Sequence, residues 1–128
     1  MKLIIDAQPL RQYPFAQAGF SGGTEGYVKR IIAGLAAKGH QVHVVAPDLE
    51  RDEQRGENEW WWPPAVHPTR ADAVVLVHNL QHAEGYTAEY FVLMPNGIDP
   101  WLGPDQSWGT RLSAVACFSQ CHVDMLVA

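Results

Sequence analysis

The chain has 128 residues, room for one domain with a core and too little for two ordinary ones. Its 47% hydrophobic and 18% charged residues are those of a soluble globular protein, and no apolar run approaches the roughly 20 residues of a membrane-spanning helix. A net charge of −5 without a basic stripe argues against a nucleic-acid partner, and two cysteines, Cys117 and Cys121, make neither a disulfide framework nor a zinc site. The N-terminus goes straight into an apolar run interrupted by Asp6, which is not a signal-peptide pattern, so the expected compartment is the cytoplasm.

Residues 2–6 read as a buried strand. A long loop follows over 7–21, broken by Pro9 and Pro14, with Tyr13, Phe15 and Phe20 placed to pack beneath it or, less readily, to line a pocket. The strongest local prediction is a helix over 24–38. There Tyr27, Val28, Ile31, Ile32, Leu35 and Ala36 form one broad apolar face. Glu25 near its start and Lys38 near its end suit the helix dipole, and Gly39 ends it in a left-handed turn. Gly34 is a cost inside the helix and marks close packing against a sheet. Residues 41–45 are a second strand, parallel to the first in a βαβ unit.

Residues 48–69 are the least regular: a charged stretch and then Trp60-Trp61-Trp62-Pro63-Pro64. Three successive tryptophans cannot share one face of a strand or helix, so at least one covers a surface or is exposed. Such a segment serves as a contact face for another domain or ligand, or as a loop folded over its own aromatics. Further strands are expected at 73–77, 90–94 and 114–118, with a short helix over 81–89. Ser119 is placed to cap a terminal helix.

Before the first helix stands Gly19-Phe20-Ser21-Gly22-Gly23-Thr24-Glu25-Gly26. Without Cβ atoms at Gly22 and Gly23, a ligand can approach the peptide N–H groups. The first N–H groups of a helix lack partners and carry partial positive charge, so the stretch reads as a phosphate or carboxylate seat; the alternative is a turn that only redirects the chain. Continuous apolar strands separated by helices or loops imply an α/β fold with a mostly parallel sheet, in which ligands bind beyond the carboxyl ends of the strands. Asp6, the glycine loop, Asp48, His78-Asn79, Asn96-Gly97 and Ser119 fall there. The spacing fits neither the G-x-G-x-x-G turn of nicotinamide-binding folds nor a P-loop.

Residues 20–28, with Phe20-Ser21-Gly22-Gly23-Thr24-Glu25, and 31–47, with Lys38-Gly39-His40-Gln41-Val42-His43-Val44, resemble the N-terminal domain of family 4 GT-B glycosyltransferases. Its "GGxE" loop and "GHxVxVxxP" strand are matched by these blocks. Residues 71–79 and 114–126 resemble two later elements of that domain in order. The resemblance implies one Rossmann-like domain over 1–128, the acceptor-side half of a GT-B fold, with the donor-binding domain outside this chain. It implies a retaining transferase of hexosyl type that moves a sugar from a nucleotide-sugar donor to an unspecified acceptor, with no metal and no cofactor beyond the donor. The isolated chain is then expected to be inactive.

Gly22, Gly23 and Thr24 would meet the donor diphosphate. The family's His after the fourth strand is replaced by Met94-Pro95-Asn96-Gly97-Ile98-Asp99, so no catalytic residue carries over. Asn96 and Asp99, with His78 and Asn79, are the acceptor-binding candidates; His78 and Asn79 read equally well as hydrogen-bonded loop residues. His40 and His43 read as structural, and His82 and His122 carry no signal. The alternative function is a stand-alone module that binds a nucleotide or phosphosugar without catalysis.

Overall fold

The computed structural model describes residues 1–11, 14–17, 23–78, 80–94 and 114–115. The elements run β1 (Lys2–Asp6), α1 (Gly23–Ala37), β2 (Gln41–Val45), β3 (Glu53–Gly56) and β4 (Glu59–Trp62). There follow β5 (Arg70–Val77), a 3₁₀ segment (Leu80–Gly85), β6 (Thr87–Met94) and β7 (Ala114–Val115). The strands form one mixed, mostly parallel sheet in the order β3-β4-β2-β1-β5-β6-β7, so the chain is α/β. Among the described residues, only the β3–β4 pair is antiparallel.

Period-two alternation divides the β1 side chains between two cores. Ile5 joins Val42, Val44, Val77 and Trp61 on the face covered by α1, whose Val28 and Ile32 are fully buried. Tyr27, Ile31, Leu35 and Ala36 flank them, so the predicted apolar face of the helix is the one that packs. Each fully buried aliphatic side chain of this kind is worth roughly 1.5–3 kcal/mol. Ile4 faces the other way, with Val74, Leu76, Phe91 and Leu93, under Ala83 and Tyr86 of the 3₁₀ region. Helix α1 ends where expected, with Gly39 at φ 90°.

Four expectations are corrected. Residues 53–62 are a β-hairpin that extends the sheet. β4 lies parallel to β2, and the pleat splits the tryptophans. Trp61 is buried against Phe15, ring centroids 5.3 Å apart. Trp60 and Trp62 lie on the opposite face around His43, which stacks on Trp60 at 4.9 Å and accepts from Trp62 Nε1 at 3.1 Å. Aromatic residues favour strands as β-branched ones do, but β3 is exposed along its whole length and carries no alternation that would announce a hairpin. The expected helix over 81–89 is only the short 3₁₀ segment, because Thr87, Ala88 and Glu89 already pair with β5 as the start of β6. β6 is correspondingly longer than 90–94. Gly34 faces solvent, and a Cβ built there would meet nothing within 4 Å, so it is not a close-packing glycine. The predicted strand over 114–118 is described only at Ala114–Val115. Tyr13, Phe20 and the helix expected after Ser119 lie outside the described residues.

Among the described residues, no helix is long and apolar enough to cross a membrane.

Candidate functional site

Asp6 is the last residue of β1 and shares its face with Ile4, away from α1. Its side chain is 1% exposed. A carboxylate so deeply placed is tolerable only if its acceptor positions are filled. They are. Oδ1 accepts from the backbone N–H of Gln8 at 3.0 Å, the local turn that Asp favours at a strand end. Oδ2 accepts from the Gln8 amide at 3.2 Å and from the Tyr86 hydroxyl at 2.9 Å, and lies 3.0 Å from His82 Nδ1.

The 3₁₀ segment brings His82 and Tyr86 to this carboxylate. It starts just after His78, which holds the left-handed conformation at φ 67° and donates its backbone N–H to the Met94 carbonyl at 2.9 Å. Non-glycine residues seldom adopt that conformation, and histidine is among those that do more often. The turn drops the chain onto the sheet, where Ala83 is buried against the Ile4 face and the Tyr86 N–H donates to the Ala83 carbonyl at 3.1 Å.

Asp6 sets the chemistry of both partners. Its hydrogen bond raises the pKa of His82 above the ordinary histidine value, against the opposing effect of burial. Burial, reinforced by the Asp6 charge, pushes the Tyr86 hydroxyl far up, so it stays protonated and remains a donor. Asp6, Gln8, His67, Gln81, His82, Gly85 and Tyr86 line an open cavity of about 270 Å³. His67 borders the Tyr86 ring at 5.7 Å between centroids.

The glycine seat falls elsewhere on the sheet. Gly23 opens α1 and Thr24 follows in its first turn. A helix that joins two parallel strands runs back against them, so this end lies at the carboxyl edge of the sheet. Glu25, in the same turn, is 6% exposed. His78 follows the last residue of β5 at that edge. Gly22, Asn79, Asn96 and Asp99 lie outside the described residues. Asp48 is spent on structure, its two carboxylate oxygens accepting from the Ala16 N–H at 3.0 and 2.9 Å.

Sequence reasoning placed Asp6 at a strand end and missed Gln8, His82 and Tyr86. Positions 6 and 82 are 76 residues apart, and no motif links them. Among the described residues, no group of three or more His, Cys, Asp or Glu is gathered so as to hold a metal ion.

No protein-family model matches the chain, and no curated protein matches it.

Proposed function

We propose that the chain is the acceptor-side, Rossmann-like half of a retaining GT-B glycosyltransferase that uses a nucleotide-sugar donor. One observation carries the reading beyond the sequence motifs. Numbered among themselves in chain order, the parallel strands β4-β2-β1-β5-β6-β7 have the order 3-2-1-4-5-6. That is the order of doubly wound nucleotide-binding sheets, where ligands sit at the point at which the chain changes sides. Here the change falls between β1 and β5, which end at Asp6 and Val77.

In this reading the backbone N–H groups at Gly22 and Gly23 face the donor diphosphate and stabilise the charge that grows as the sugar–phosphate bond breaks. Thr24 adds its place in the same turn. His78, Asn79, Asn96 and Asp99 serve the acceptor, and a second domain supplies the remaining donor contacts. Glu25 works against the seat, since its carboxylate already answers part of the positive end of the helix.

The test is NMR titration of the chain with UDP, GDP and pyrophosphate. Shifts centred on residues 22–25, abolished by Gly23→Val and strengthened by Glu25→Gln, are expected. Shifts that survive Gly23→Val, or that Glu25→Gln weakens, would remove the diphosphate seat and with it the transferase reading.

A further inference from the structure

We infer that the cavity over Asp6 is a binding site for a neutral polyhydroxyl ring the size of one sugar unit, with His82 as the group that meets it. The inference does not depend on the transferase reading.

The floor is built and rigid. The Asp6 carboxylate accepts four contacts from Gln8, Tyr86 and His82, and both it and Tyr86 are buried. A fully satisfied buried network of this kind fixes its members in one arrangement. His82 is held by that network yet stays accessible, its side chain 32% exposed. Its Nδ1 is committed to Asp6, which leaves Nε2 as the nitrogen offered to a ligand. Asp6 is therefore a positioning residue and His82 the contact residue. At the rim, Gln81 and Gly85 are exposed, so the cavity opens to solvent.

Size and charge choose the ligand. A volume of about 270 Å³ lies just below the range of drug-sized pockets, which suits a single ring and not a dinucleotide. Among the described residues, no lysine or arginine lines the cavity. A phosphate would meet the Asp6 carboxylate with His82, and Arg11 turned onto the Gln8 carbonyl, to offset the repulsion. Glutamine amides and imidazoles, by contrast, offer donors and acceptors together. Vicinal hydroxyls, each of which donates and accepts, need that mixture. The tilted His67 and Tyr86 rings, 36° apart, give an apolar wall for the C–H face of such a ring.

The experiment titrates the full chain with methyl α-D-glucopyranoside, and separately with inorganic phosphate, reading backbone amides and histidine side chains by NMR. Saturable shifts at His82, Gly85 and Tyr86 with the glucoside are expected, at affinities on the order of millimolar. His82→Ala should weaken them at least about tenfold. Gly85→Phe supplies a second variant that leaves the Asp6 network intact. A Cβ at Gly85 meets nothing within 4 Å, so the ring can fill the mouth of the cavity and abolish the shifts. No saturable shift up to about 50 mM glucoside overturns the inference. So do undiminished shifts in Gly85→Phe, or saturation by phosphate in place of the glucoside.

Discussion

Gly34 and Gly39 stand five positions apart and answer to opposite constraints. Gly34 lies inside α1 on the solvent face, with open space where a side chain would go. Its only effect on stability is the backbone entropy that glycine loses on folding. Gly34→Ala should therefore stabilise the protein by about 0.8 kcal/mol, read as a raised urea midpoint with an unchanged slope. Gly39 also has open space around it, yet its φ of 90° is one that L-residues avoid. Gly39→Ala should cost roughly 1–2 kcal/mol. Open space alone thus does not decide the sign; the backbone does. Equal effects of the two substitutions would mean that the helix does not end at Gly39. The sequence showed Gly39 plainly, because a left-handed stop has a residue signature. It misplaced Gly34, because a helical glycine looks the same whether it faces a sheet or water.

At the scale of elements, the β3–β4 hairpin does more than widen the sheet. Arg55 lies over the Trp61 ring at 4.0 Å, pairs with Glu53 and donates to the Ala16 carbonyl. Asp48 holds the Ala16 N–H from the other side, and Phe15 is buried against Trp61. The segment between β1 and α1, which leads to the glycines, is thereby pinned at residues 15 and 16. Arg55→Ala should cost about 1 kcal/mol, since the arginine is partly exposed and its cation–π contact and hydrogen bond are the interactions lost. Hydrogen exchange at the Ala16 amide should accelerate, while that at Val28 and Ile32 stays as it was. Uniform acceleration would mean that the hairpin supports the whole sheet and not this loop. The elements with a periodic signature, β1, α1, β2 and the middle of β5, were legible in the sequence. The hairpin was not, since Glu53–Gly56 is exposed at all four positions and a strand without a buried face carries no alternation. The cavity residues escaped for another reason: His82 and Tyr86 meet Asp6 only because the 3₁₀ segment is laid on the sheet, a long-range contact that composition does not encode, while Gln8 reaches it through a local turn.

For the whole molecule, two histidines bias stability against pH in opposite directions. The pKa of His82 is raised, chiefly by its hydrogen bond to Asp6 and despite burial and Arg11. Its contribution is fully present below the unfolded value near 6.5 and is lost as pH rises through the higher folded value. The pKa of His43 is lowered by burial among the tryptophans and, less, by Lys2. Its neutral form is the folded one, so stability is complete above about 6.5 and falls as pH drops toward the lower folded value. Acidification from pH 8 to 5.5 therefore strengthens the fold through one site and weakens it through the other, and the parent protein shows only the difference, together with the titration of its carboxylates. Urea unfolding of His82→Gln and His43→Gln over that interval separates the two. Relative to the parent, His82→Gln should lose stability more steeply toward acid, because the compensating site is gone. His43→Gln should lose it less steeply. The carboxylates are common to all three proteins and, Asp6 beside His82 excepted, cancel in the comparison. Three parallel profiles would mean that neither imidazole changes its proton affinity on folding, and the Asp6–His82 contact would then be a neutral hydrogen bond without a bias toward the imidazolium.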